Sequence, residues 1–184
     1  CTILYKFCMF MFNSIGNENM KKLAQALIVA GVTVAGTFPA HAEEAMTVNV
    51  ARITADTANT IAVNTIKACR EKGIPVSVTV VDRNGIVQVQ MRDTTAPPVS
   101  LNISKKKAYT SVMFNVKGSQ LEGRAKGPLP TLGEGLAFMA GSTPIAAGGK
   151  MYGAVGVSGA PDGKDDEACA IAGVQSVLED LEMQ

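Results

Sequence analysis

IPVSVTVVDRNGIVQVQMRD, residues 74–93, holds two alternating runs around a turn signal. Val76, Val78 and Val80 alternate with Ser77 and Thr79, the period-2 pattern of a strand with one buried face. After the turn, Val87, Val89 and Met91 face one way and Ile86, Gln88 and Gln90 the other. Asn84-Gly85 between the runs is a hairpin signal, because a type I′ turn needs φ > 0 at both central residues. The stretch therefore predicts an antiparallel hairpin.

Upstream, residues 48–71 predict a helix. Ala51, Ala55, Ala58, Ala62, Ile66 and Cys69 form one apolar stripe, with Val50, Ile53, Ile61 and Ala68 beside it. That surface is wide for a helix on one sheet, so a second helix or a second subunit is expected to cover it. Gly73 ends the helix. Downstream, two prolines in TTAPPVS break the chain, and residues 100–116 predict another helix. Leu101, Ala108 and Val112 form its core stripe. Ile103, Lys107, Thr110 and Phe114 share a separate face, which sets a cation and a hydroxyl between apolar residues.

Residues 115–135 read as a long loop with a helical turn at 119–124, a length that often carries function. Three strand candidates follow: LAFMA (136–140), STPIAA (142–147) and KMYGAVGVS (150–158). In the last, alternation puts Tyr152, Ala154, Gly156 and Ser158 on one face. Glycine inside a strand marks a close approach. Gly156 is thus either the floor under a planar ligand or the contact of a packed helix. Residues 165–182 predict a closing helix with Ile171, Val174, Leu178 and Leu181 inward. Asp165, Asp166 and Glu167 crowd its first turn, where carboxylates suit the helix dipole, and adjacent residues do not share a face for metal binding. Strands in runs, separated from helices, give an α+β class with an antiparallel sheet.

Residues 20–42, MKKLAQALIVAGVTVAGTFPAHA, have a charged start, a short apolar middle and an Ala40-His41-Ala42 end, the layout of a secretory signal peptide. Cleavage after Ala42 and a periplasmic or secreted product are expected. The apolar run is too short to leave a stable membrane anchor. Residues 1–19 then read as a non-native or mis-set start, and residues 43–184 as one domain. Removing Lys6, Lys21 and Lys22 from the 17 basic residues and Glu18 from the 16 acidic ones leaves 14 and 15, a net charge of −1. Nothing in that balance suggests nucleic-acid binding. His41 is the only histidine, so the cleaved chain could not use Ser-His-Asp or Cys-His catalysis, or histidine ligation of metal. Cys69 and Cys169 remain, either as a disulfide or as two small buried residues.

The segments GIPVSVTVVDRNGIVQVQMRD, SKKKAYTS and PIAAGGKMYGAVGVSG together resemble the GlcG/HbpS haem-degrading (PduO C-terminal-like) family. The matched pattern runs from Gly73 to Asp82, then Gly85, Lys107-Ala108-Tyr109-Thr110, Gly148-Gly149 and Gly153 to Gly159. Arg92 and Asp93 are adjacent where the family pattern has one residue between them. The resemblance spans about residues 48–175. It implies a five-stranded antiparallel sheet flanked by helices in profilin-like α-β-α layers, a homo-oligomer, and haem binding or degradation in some members. It also carries a ligand role onto Lys107 and Thr110.

The leading expectation is a haem- or tetrapyrrole-binding oligomer with Lys107, Thr110, Arg92, Phe114, Gly156 and Ser158 at the ligand. Arg92, Lys105, Lys106 or Lys107 would pair with propionates. Met91, Met113, Tyr109, Tyr152 and Thr110 are the axial candidates. The competing expectations are an enzyme or binding module for a small hydroxy acid or carboxylate, using Lys107, Thr110 and Asp93, and a structural or sensory module whose function is assembly.

Overall fold

The computed structural model describes residues 46–184. The segments read as a mis-set start and a signal peptide, with His41, lie outside the described residues. Among the described residues the order is α1 (Ala55–Glu71), β1 (Ser77–Asp82), β2 (Val87–Arg92), α2 (Val99–Phe114), a 3-10 helix (Gly118–Lys126), a short α3 (Leu129–Leu132), β3 (Ser142–Ala147), β4 (Lys150–Ser158), α4 (Gly163–Gln175) and α5 (Leu178–Glu182). The sheet is antiparallel, in the order β2-β1-β4-β3.

It has four strands, not the expected five, because 136–140 is not a strand. The Ala137 amide donates to Thr110 Oγ1, the Met139 amide to the Ala137 carbonyl and the Ala140 amide to Glu122 Oε1, so this segment's hydrogen bonds go to α2, a local turn and the 3-10 helix. The sheet is rejoined at the Gly141 carbonyl, which accepts from the Val157 amide.

The hairpin forms, but with a different turn. Gly85 (φ 81°) is left-handed and Asn84 is not. The Asp82 carbonyl accepts from Gly85 N, and the Asp82 amide donates to the Ile86 carbonyl. This is the three-residue loop with glycine at the left-handed position. Asp82 Oδ1 accepts from the Asn84 and Ile86 amides, which makes the type I′ geometry unnecessary.

One sheet face and α1 with α4 enclose the main core: Val76, Val78, Val80, Val155 and Val157 against Ile61, Ile66, Ala170 and Val174. Thr54 caps α1 by accepting from the Thr57 amide, so the helix starts later than its apolar pattern. The wide apolar surface of α1 is covered within the chain by α4. The helices touch at Gly173, where an added Cβ would lie 1.9 Å from Thr65 Oγ1. A Cys69–Cys169 disulfide ties them (Cα–Cα 5.5 Å), which resolves the two readings of these cysteines. The first helix therefore gives no separate argument for a second subunit. The last helix is two, α4 and α5, separated at Ser176 and Val177.

The other face is covered by α2. A row of hydroxyls joins them: Ser77 to Ser100 (2.7 Å) and Thr79 to Ser104 (2.8 Å), all buried. Gln90 adds bonds to Thr79 Oγ1 and the Leu101 carbonyl. The α2 backbone comes close because Gly156 has no side chain. A Cβ there would lie 2.3 Å from the Ser104 carbonyl oxygen and 2.4 Å from Ala108 N. A packed helix thus explains Gly156, and that helix occupies the place of a ligand floor. A register shift between Ile145 and Ala146, opposite Gly153 and Met151, breaks the alternation in β4. Tyr152 accordingly joins the core of Val155 and Val157, whereas Ala154 packs with Ala108 under α2.

Candidate functional site

Two clefts of about 350 Å³ each flank α2. That is the lower end of the range for ligand pockets. The helix presents different faces to them, as its sequence spacing dictates.

The first cleft takes Ile103 and Lys107 from α2, Ser158 from the end of β4, and Asp166 from the first turns of α4, with Glu122 and Met139 at its side. Lys107 Nζ donates to Asp166 Oδ2 at 2.9 Å, and the side chains are only 4% and 2% exposed. The second Asp166 oxygen accepts from the Ala160 amide. The next residue, Glu167, accepts from the Ser119 amide and hydroxyl and from the Gly141 amide. Lys107 and Ser158 line one cleft, and the charge of Lys107 is already balanced by Asp166.

The other predicted site residues lie elsewhere. Thr110 is buried, donates to the Lys106 carbonyl and accepts from Ala137 N. It fixes the turn of the chain over α2. Phe114 meets Phe138 edge-on (5.5 Å between centroids) and lies under the Arg124 guanidinium. Arg92 Nη1 donates to the carbonyls of Asp93, Thr94 and Ala96, and so orders the loop before α2. Asp93 binds Arg70 through two bonds (2.8 and 3.0 Å) rather than Lys107. The Arg70 hydrogen bond holds the Asp93 carboxyl below its ordinary pKa, and Asp93 raises that of Arg70.

The second cleft is lined by Lys105, Lys106, Tyr109 and Asn102 of α2, with Gly85 of the hairpin turn and Glu134 and Gly135 of the long loop. Lys105 and Lys106 are exposed. Ile86 (65% exposed) adjoins the cleft in sequence, and Met113 (43%) lies against Gly85. An open cleft with two cations, one carboxylate and one aromatic ring can meet the acidic edge of a ligand. Lys105 and Lys106 could pair with the propionates of a haem, but Tyr109 is the one large apolar surface in the lining, so these residues alone do not enclose a macrocycle. A bound haem would supply iron redox chemistry. Among the described residues, no cluster of three or more His, Cys, Asp or Glu could hold a bare metal ion.

Asp166, Glu167 and Glu122 are the site groups that the sequence reading missed or took only for helix-terminal charges. The available signal was an acid three residues into a helix that follows a glycine-rich strand. No spacing rule connects it to a lysine 59 positions away.

A four-stranded antiparallel sheet between helices, with clefts flanking one helix, defines a small α+β domain. The chain belongs to the HbpS-like family, whose model, described as haem degrading protein HbpS-like, matches residues 53–175. The crystal structure of HbpS is similar at 36% identity and a TM-score of 0.68, covering 72% of this chain and 94% of that one. A double mutant of Streptomyces reticuli HbpS gives 35% identity and 0.68 over 77% and 98% of the two chains. The PduOC–haem complex shares the fold, with 20% identity and a TM-score of 0.63 over 68% and 95%. A search of the curated proteins found no significant match.

Proposed function

We propose that this chain is an exported, homo-oligomeric haem- or tetrapyrrole-binding protein. Family membership carries the reading, since the family is described as haem degrading and its match spans both clefts. Support from the chain itself comes from the second cleft, where the exposed Lys105 and Lys106 stand beside Tyr109. PduOC, of the same fold, was solved as a haem complex. Export is supported by the A-x-A segment ending at Ala42 and by the Cys69–Cys169 disulfide, which suits an oxidising compartment.

Titration of the full chain with haemin is the test. A saturable Soret band is expected, and a featureless titration would remove the reading. Turnover is tested separately, by bleaching of that band with dioxygen and a reductant, or with a peroxide, and release of iron. Intact-mass measurement of exported material is expected to show a start at Glu43, and light scattering a mass several times the monomer's.

A second reading is favoured by one observation. Lys107 and Ser158 line the first cleft together, as a site for a small hydroxy acid or carboxylate would need. The lysine there is already paired with Asp166, so a carboxylate must compete with a buried one. Binding of such an acid without a Soret band would favour this reading over haem.

A further inference from the structure

Lys107 and Asp166 balance each other's charge in the first cleft, but their hydrogen bonding is incomplete. An ammonium has three donors. Among the described residues only Asp166 Oδ2 takes one, although the Lys107 side chain is just 4% exposed. Gly141 (φ 119°) leaves room for the ammonium, since a Cβ there would collide with Nζ.

Ser158 is the second incomplete group. It pairs with Ser77 across the sheet, and residues directly opposite share a face. Ser77 bonds to Ser100 of α2, so Ser158 also projects toward α2, where the cleft lies. The residue is 6% exposed, and its hydroxyl has no partner among the described residues. Unlike the Ser142 hydroxyl, it is not sealed off, so the cleft is what it meets. Buried polar groups are nearly always hydrogen-bonded, so uncommitted donors of two residues on one cleft wall point to a bound molecule.

Charge decides its kind. One lysine against Asp166 and Glu122 leaves the lining with an excess of one negative charge. An anion would meet that excess and be buried beside Asp166. A cation would meet the Lys107 ammonium. A neutral hydroxyl escapes both costs, because it accepts from Lys107 or Ser158 and donates to Asp166 or Glu122. Ile103, Met139, Ala140 and Pro161 supply an apolar wall for carbon. We propose that the first cleft binds a small neutral polyol, its hydroxyls held by Lys107 and Ser158. The site is separate from the haem reading, and differs from the acid-binding one in the charge of its ligand.

The test is saturation-transfer NMR on the full chain with xylitol, a linear neutral polyol, and xylonate, the acid of the same carbon skeleton. Saturable xylitol binding is expected, with xylonate weaker by at least about 10-fold because of Asp166 and Glu122. Ser158→Ala should weaken xylitol by about 3–10-fold, the loss of one hydrogen bond. Its melting temperature should not fall, because the hydroxyl has no partner among the described residues. No saturable xylitol signal would mean that water alone fills the cleft, and would overturn the site. Xylonate binding as tightly as xylitol would overturn the neutral class and favour the acid reading. A Ser158→Ala variant that binds xylitol unchanged, or that melts lower, would overturn the role given to its hydroxyl. None of these results bears on the Soret titration, so the haem reading stands or falls by itself.

Discussion

Replacing Lys107 with methionine separates two views of this residue. Read as a ligand group from sequence, it should be dispensable for stability. The structure gives it another role. Its ammonium lies 2.9 Å from Asp166 Oδ2, with both side chains almost wholly out of water. Burying either ion alone costs several kcal/mol, which their mutual attraction offsets. Lys107→Met leaves the Asp166 carboxylate buried with only the Ala160 amide as partner. The expected loss is about 3–5 kcal/mol, the range for breaking a buried pair from one side. A domain stable by about 5–15 kcal/mol would lose about a fifth or more of its margin. Urea denaturation with the disulfide intact should show it as a midpoint lower by about 1 M or more at unchanged slope. The double variant Lys107→Met/Asp166→Leu removes both charges and should recover most of the loss. A single variant that costs less than about 1 kcal/mol would place the pair among solvated surface bridges and refute the argument.

Three further outcomes are expected. Cys69→Ala/Cys169→Ala should lose about 4–5 kcal/mol by thermal or urea unfolding, because the bridge closes a loop with a sequence separation of 100; an unchanged midpoint would contradict this. Gly156→Ala should destabilise by about 1–3 kcal/mol through overpacking, since its Cβ would meet the α2 backbone at Ser104 and Ala108, and a melting temperature within error of the parent would show that α2 can move away. Asp93 has a folded-state pKa depressed by Arg70, so its contribution is present above the unfolded value of about 4 and is lost as pH falls through the folded value. The stability difference between the parent and Asp93→Asn should therefore shrink in acid and in high salt, and a difference that grows in acid would reverse the assigned sign.

How much of this was legible in the sequence depended on distance along the chain. The hairpin of β1 and β2 was readable because its pattern and its turn are local. Even there, the side chain of Asp82 selected a three-residue turn that the Asn84-Gly85 pair alone did not reveal. The segment 136–140 carries apolar residues like a strand. It became a connection because Thr110, on α2, takes one of its amides.

The cluster Asp165-Asp166-Glu167 shows the same limit most sharply. Adjacent residues on a helix point about 100° apart, so these three cannot share a ligand. That geometry argued against a metal site and in favour of helix-dipole charges. The same divergence lets each reach a different part of the fold. Asp165 pairs with Lys72 just past α1, Asp166 with Lys107 of α2, and Glu167 with Ser119 of the 3-10 helix and Gly141 before β3. One helical turn thereby holds three separate pieces of the domain around the first cleft. Lys107 and Ser158 are arranged there by structure first, and what they could bind follows from what that structure leaves unpaired. This is why the exposed Lys105 and Lys106, and not the buried lysine, are the cations left to meet an anionic ligand.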